Sequence, residues 1–332
     1  MPGFPKLRED GYDLVVLGGG HAGLQAGLKT ALLHHTAAII DRGPKYSRSY
    51  YAPRMANIPG WPTGISGHKL LDLQIAALGP WADRVGYFTP ARASSVRATD
   101  DGFSVEFEWL KQPRVARGRA LVLALGVVDR IPVVGGRIDT IFPWANAALV
   151  DFCVFCDGHE LTGKSVGVIG ADPFAVRTAL DLVEFEPKSV ELLTHGAPFL
   201  AGVPGPEREQ LVAAMERAGI ARHDPEMVGF DGIREKKWVV RFQDGSVREY
   251  DRGFSALGWY DMHGEIPRSL GARFDPDGYV VTDEDCRVLS DRTGEPIPGL
   301  YGVGDLRNGW NQIPEAWATA ERAVIHACNF YL

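Results

Sequence analysis

One segment restricts the fold of this chain more than any other. The apolar hexamer Tyr12–Leu17 (YDLVVL) runs directly into Gly18-Gly19-Gly20-His21-Ala22-Gly23. A strand-length apolar run that ends in glycines and leads into a helix-like stretch, 24–34, reads as the opening of a βαβ unit. A second strand, Ala37–Ile40, then ends at Asp41. In this setting G-x-G-x-x-G gives each glycine a task. Gly18 permits the tight turn, Gly20 omits a side chain where a pyrophosphate must approach, and Gly23 lets helix and sheet pack closely. The helix N-terminus offers its unpaired N–H groups to the anion. Asp41 can accept a hydrogen bond from an adenosine ribose hydroxyl. The motif alone does not separate FAD from NAD, and a glycine-rich turn with no ligand is the plainer alternative.

The unit occurs twice. Ser165–Ile169 (SVGVI) is again a short apolar strand, followed by Gly170-Ala171-Asp172-Pro173-Phe174-Ala175, a helix to about Glu184 and a strand Ser189–Leu193. Two such openings predict an α/β chain with two Rossmann-like three-layer nucleotide-binding domains. The length of 332 residues suits two domains. Between and after the loops, 103–109 alternates as an antiparallel strand and 120–125 reads as a buried one. Trp238–Phe242 and Val247–Tyr250 flank Gln243-Asp244-Gly245-Ser246, a hairpin signal. The stretches 254–257 and 299–303 read as strands, and 313–331 as a closing amphipathic helix. The GLYGVGD run at 299–305 ends in Gly304-Asp305, a carboxylate beside sparsely covered backbone, suited to a ribityl or ribose hydroxyl.

A formal net charge of −7 argues against a general polyanion binder, so no nucleic-acid partner is expected. The first six residues lack the apolar core of a signal peptide. The longest apolar run, around 120–128, is too short to span a bilayer. The expectation is a cytoplasmic chain with no membrane partner, in a reducing compartment where a close cysteine pair is more often catalytic or metal-binding than structural. The four cysteines include one such pair, in Cys153-Val154-Phe155-Cys156-Asp157-Gly158. Zinc would need two further ligands at a recognisable spacing, and Cys286 and Cys328 have none. Redox exchange is the better reading, with two unreactive core cysteines as the alternative. Asp157 can pass a proton to or from a thiolate if burial raises its pKa. Cys286 and Cys328 read as small buried hydrophobes.

Together these features resemble the low-molecular-weight thioredoxin reductases, FAD-dependent disulfide oxidoreductases. The resemblance spans almost the whole chain. It rests on GGGHAG, on Asn57-Ile58-Pro59-Gly60-Trp61-Pro62 followed by Gly64-Ile65-Ser66-Gly67, on CxxCDG, and on GLYGVGD with Asn311-Gln312-Ile313 and a terminal helix. It implies an FAD domain from 1–130 and 260–332, with a central domain of 131–259 inserted into it and carrying the cysteines. It also implies a homodimer and a domain rotation that moves the cysteines between flavin and substrate. Cys156 would face the flavin, Cys153 would attack a disulfide on thioredoxin or another partner, and Asp157 would be the acid–base group. The implied FAD contacts are Gly18, Gly20, Gly23, Asp41, Asn57, Gly304, Asp305, Gln312 and Ile313.

Two departures from that family bear on one function. The central loop has Asp172 where its second glycine belongs. A carboxylate there satisfies the helix N–H groups and occupies the place of a pyrophosphate. It also repels that dianion by several kcal/mol at about 4 Å and intermediate dielectric. Members that use NADPH hold its 2′-phosphate with a His-Arg-Arg cluster after the next strand, whereas Thr194-His195-Gly196-Ala197-Pro198-Phe199-Leu200-Ala201-Gly202 has no arginine. The chain therefore resembles the branches that do not depend on pyridine nucleotides. Some take electrons from ferredoxin, some hold a second flavin, and others are dithiol oxidases that use oxygen. In the oxidases histidine commonly follows the second cysteine, so Asp157 favours the reductase-like branches. A conventional NADPH-dependent reductase with an unusual loop is the alternative. Tyr50, Tyr51, Trp259 and Tyr260 are candidates for stacking a second flavin, and Arg48 and Arg54 for meeting a pyrophosphate or an acidic partner.

Overall fold

The computed structural model describes residues 7–258 and 261–332. Contacts divide the chain into two compact units, one of Met1–Tyr50, Gly67–Val128 and Asp261–Leu332, the other of Tyr51–Ser66 and Asp129–Tyr260. The stretch 129–260 interrupts the first unit, so the two are nested along the chain. The segment Tyr51–Ser66 is a departure from the expected boundary, which places it in the first unit. Two contacts explain why it groups with the second: Tyr51 stacks on Phe142 with ring centroids 6.4 Å apart, and Arg54 is ion-paired with Glu160.

In the first unit, Tyr12–Leu17 lies at the heart of a parallel sheet. The order is Pro296–Gly302, Gln112–Leu123, Tyr12–Leu17, Ala37–Ile40, Val85–Phe88, with Arg287–Leu289 antiparallel at the edge. Leu14 stands opposite both Ala37 and Ala120. These strands are apolar on both sides because both faces are covered. Helices His21–Leu32 and Ile313–Phe330 cover one face, packing Leu24, Ala26 and Ala31 with Ala320, Ala323, Val324 and Ala327. An antiparallel meander of Ala91–Thr99, Gly102–Trp109 and the first half of Gln112–Leu123 covers the other. There Phe88 meets Trp109 edge to face at 5.2 Å.

The second unit repeats the plan. Its parallel sheet runs Ala221–His223, Ser189–Leu193, Ser165–Ile169, Arg252–Ser255, Val150–Asp151. Helices Pro173–Val183 and Gly205–Arg217 pack one face, and the meander Met227–Asp231, Trp238–Phe242, Val247–Tyr250 packs the other. The buried Trp238 indole sits on Gly167 and Gly253, a register pair on neighbouring strands; a Cβ at either would lie within 2.8 Å of the ring. Both meander strands flanking Asp244-Gly245 fall where the hairpin signal puts them, with Gly245 at φ 82°. The α/β reading with two Rossmann-like sheets therefore holds. Among the described residues no helix is long and apolar enough to cross a membrane.

Candidate active site

The first glycine loop is built from contacts that a side chain would destroy. Gly18 has φ 102°, and a Cβ there would lie 2.3 Å from the Ala124 carbonyl oxygen. A Cβ on Gly23 would lie 1.8 Å from the Gly18 oxygen, so this glycine sets the approach of helix to strand. Gly20 differs. It is the N-cap of His21–Leu32, and a Cβ there would meet nothing nearer than the Ser47 hydroxyl at 3.7 Å. Among the described residues nothing fills the space over Gly20, and the helix N–H groups beneath it receive no side-chain cap. That is the form a pyrophosphate cradle takes. Asp41 is buried, with Oδ1 accepting from Gly19 N–H at 2.9 Å and Oδ2 accepting from Gly43 N–H at 3.0 Å and the Tyr87 hydroxyl at 2.9 Å. Gly19 is the residue the fingerprint did not single out: a Cβ there would lie 2.6 Å from the Asp41 carboxyl carbon.

The C-terminal elements meet this loop within the same unit. Gly304 takes φ 63° and donates to Thr319 Oγ1 at 3.0 Å, and a Cβ on it would touch that of Ala22 at 3.0 Å. Asp305 is ion-paired with Arg48 at 3.7 Å. Gln312 is the N-cap of Ile313–Phe330, and Ile313 is its first residue. Beside them Asn311 donates through Nδ2 to the Tyr279 hydroxyl at 3.2 Å, while its Oδ1 is buried with no hydrogen-bond partner among the described residues. A buried acceptor left unpaired costs about 1–3 kcal/mol; a ligand donor such as a flavin N–H or ribityl hydroxyl would remove that cost. The open cradle and this orphaned acceptor fit FAD. Asn57 is exposed and belongs to the segment grouped with the second unit.

Cys153 and Cys156 are joined by a disulfide with Cα atoms 5.3 Å apart. Cys153 is the N-cap of the short helix Val154–Asp157, and its carbonyl accepts from the Cys156 and Asp157 N–H groups, both at 3.2 Å. Phe155, between the cysteines, is 65% exposed, an unusual position for a phenyl ring. Around this turn lies a charge network not foreseen from sequence. Arg252 pairs with Glu160 and, at 3.5 Å, with Asp151; Glu160 in turn holds Arg54. Burial pushes the Asp157 carboxyl up, Arg252 opposes this, and Glu160 adds to it. Burial also raises Asp151, and the neighbouring Asp157 charge raises it further. Glu160 goes the other way: burial alone would raise it, but Arg252 and Arg54 hold it below the ordinary range. Cys286 is a buried thiol pushed up to about 11, chiefly by burial, and is inert by that measure.

The central loop is closed where the first is open. Asp172 is the N-cap of Pro173–Val183 and accepts from the Ala175 N–H at 2.9 Å. The helix thus supplies its own anion. A Cβ on Gly258 would lie 2.8 Å from the other Asp172 oxygen, so the carboxylate also fills the space beside the next strand's end. His195 is spent as well. Its Nδ1 accepts from Met227 N–H at 2.9 Å, which leaves Nε2 to donate to the Val133 carbonyl at 2.8 Å. An imidazole bonded at both nitrogens to backbone groups is a strut and no clamp for a 2′-phosphate.

Tyr50 packs against the first unit's core, Tyr51 stacks on Phe142 in the second, and Trp259 and Tyr260 lie outside the described residues. Arg48 and Arg54, read as anion contacts, each face a carboxylate.

Residues 12–322 match the family model for pyridine nucleotide-disulphide oxidoreductases. Among curated proteins the chain is 29% identical to the thioredoxin reductase tcpT of Claviceps purpurea, over 92% of its own length and 89% of that protein's. It is 30% identical to the thioredoxin reductase aclD of Aspergillus oryzae over 72% of each. Among solved structures, the thioredoxin reductase of Streptococcus pyogenes superposes with a TM-score of 0.75, covering 96% of this chain and 97% of that one. At 20% identity this is a likeness of fold.

Proposed function

The chain belongs to the pyridine nucleotide-disulphide oxidoreductases and is a thioredoxin-reductase-like, FAD-dependent disulfide oxidoreductase; from that premise we propose that it works without NADPH as an efficient donor. FAD, when bound, supplies two-electron redox chemistry. Gly18, Gly20 and Gly23 would shape the cradle for its pyrophosphate, with Asp41, Gly304, Asp305, Gln312 and Ile313 completing the contacts. Cys156 exchanges electrons on the flavin side, Cys153 attacks the substrate disulfide, and Asp157 holds the proton that the departing sulfur needs. The raised Asp157 carboxyl suits that role, because a general acid must still be protonated near neutral pH. The substrate is a disulfide on a thioredoxin-like protein, and the enzyme is a cytoplasmic homodimer.

One observation carries the claim about the donor: the Asp172 carboxylate already caps the helix at which NADPH would place its pyrophosphate. Electrons then come from a second flavin or from reduced ferredoxin. The visible spectrum and the flavin-to-protein ratio test this. A ratio near two per chain supports a second FAD. A ratio near one, with two new thiols per chain after anaerobic addition of reduced ferredoxin, supports the iron–sulfur donor. A ratio near one with no thiols from that donor would overturn both routes.

A further inference from the structure

We propose that His21 is a positioning residue that couples the binding of FAD to the uptake of one proton, through a chain of side chains that runs from Gln74 to His21, Ser49 and Ser47 and ends over the Gly20 cradle. The inference rests on the reading of that cradle as a pyrophosphate site. His21 opens the helix His21–Leu32 and is 7% exposed. Its Nδ1 lies 2.5 Å from Gln74 Oε1, and its Nε2 lies 2.7 Å from Ser49 Oγ. Ser49 Oγ is 3.3 Å from Ser47 Oγ, the atom nearest to the place a Gly20 Cβ would take. One element holds both ends of the ring's contacts. The helix Gly67–Ala77 carries Gln74, and its first residue packs so closely on Ser49 that a Gly67 Cβ would lie 1.6 Å from the Ser49 carbonyl oxygen. All four residues belong to the first unit.

The direction of each bond follows from the donors present. Gln74 Nε2 donates to the His21 carbonyl at 3.4 Å, so Gln74 Oε1 faces the ring and His21 Nδ1 carries a hydrogen. His21 Nε2 is then the atom that changes. In the neutral ring it accepts the Ser49 hydroxyl hydrogen, Ser49 Oγ accepts from Ser47, and Ser47 turns only lone pairs toward the cradle. In the imidazolium ring Nε2 donates to Ser49, Ser49 donates to Ser47, and the Ser47 hydrogen is released toward an anion's oxygen. Without an anion the neutral form is favoured. Burial disfavours the cation, with the Gln74 bond opposing it, and a positive charge in the first turn meets the positive end of the helix dipole. Trp317 presents only an indole to the ring, edge to face at 6.3 Å. The charged groups on the surrounding elements are engaged or exposed. Arg48 pairs with Asp305, Lys29 with Glu321 and Arg307 with Glu315; Asp41 is bonded to Gly19, Gly43 and Tyr87; His68, Lys69 and Asp72 are exposed. A pyrophosphate dianion over Gly20 reverses the balance, because a nearby opposite charge favours the imidazolium. The added proton comes from solvent and stays on Nε2, and no bond within FAD is made or broken.

Calorimetry of FAD binding to the flavin-free chain, at about pH 6.5 in two buffers of different ionisation enthalpy, counts the protons. About half a proton or more should be taken up per FAD bound. The complex holds the proton more tightly than the empty chain, so affinity is highest at low pH and falls up to about tenfold per pH unit on the way to the pKa of the complex. His21→Gln removes the titrating ring and Ser49→Ala cuts the chain of hydroxyls, and each should abolish the uptake and flatten the pH dependence. A merely structural role for His21 would weaken binding equally at every pH. Wild-type binding with no proton uptake, or uptake that survives in Ser49→Ala, would overturn the proposal even where His21→Gln fails to fold. Nitrogen NMR of the FAD-loaded, histidine-labelled protein at about pH 6.5 gives a second readout. It should show a ring signal, lost in His21→Gln, with hydrogen on both nitrogens; a ring protonated on Nδ1 alone would contradict the coupling. A chain that takes up no FAD at any pH would overturn the cradle reading and this inference with it, an outcome distinct from FAD bound without a proton.

Discussion

Cys156→Ser is expected to stop disulfide turnover completely while leaving flavin content and thermal stability close to wild type. A serine hydroxyl cannot form or break a sulfur–sulfur bond, so no partial route through the Cys153–Cys156 pair remains. The fold has little stake in the side chain, because the helix Val154–Asp157 is held by backbone bonds to the Cys153 carbonyl and by Gly158 under the Phe185 ring. Steady-state reduction of an aromatic disulfide reagent, with flavin absorbance as the loading control, gives the comparison. Wild-type turnover in the variant would move the chemistry to other groups. Cys286 is a poor candidate, because burial raises its thiol well beyond the range in which a thiolate forms at neutral pH.

The second large effect separates two glycines of one motif. Gly23→Ala is expected to unfold or severely weaken the first unit, because its Cβ would overlap the Gly18 carbonyl, which cannot move without breaking the strand–helix turn. Overpacking of this kind costs about 1–3 kcal/mol, and more when the neighbour is backbone. Gly20→Ala should leave the apoprotein's thermal midpoint nearly unchanged, since its Cβ meets only the Ser47 hydroxyl at 3.7 Å. It should nevertheless strip the protein of FAD, because the methyl occupies the open cradle. Melting curves of the flavin-free proteins, read beside flavin content after reconstitution, make the test. A Gly20→Ala protein that is as yellow as wild type would show that the cradle holds no pyrophosphate.

Much of this was legible because the strongest signals are local. Tyr12–Leu17, Ser165–Ile169 and the Asp244-Gly245 hairpin announce themselves through continuous apolar runs and glycine-bearing turns. Other elements lack such signals. Gly205–Arg217 buries only Leu211 and Met215, so its sequence carries almost no helical stripe. Ala91–Thr99 has a bulge between Ala93 and Ser95, which breaks the two-residue alternation a strand would show. Val85–Phe88 is only four residues long and contains a glycine. At the site, Asp172 and the loss of the basic cluster could be read directly, because a helix cap and a missing arginine are local facts. That His195 is a strut could not, since its partners, Val133 and Met227, are 62 and 32 residues away. The Asp151–Arg252–Glu160–Arg54 network was invisible for the same reason. Its members come from one strand edge, another strand, a short turn and the segment Tyr51–Ser66, and no motif spacing joins them.

Donor choice turns on the central loop, and anaerobic titration of the flavin-loaded protein with NADPH reads that loop most directly. The expected result is a visible flavin band that stays oxidised at micromolar NADPH, bleaches on addition of a strong chemical reductant, and then yields two thiols per chain. Rapid, stoichiometric bleaching by micromolar NADPH would contradict it, because a pyrophosphate would then be binding where the Asp172 carboxylate caps the helix.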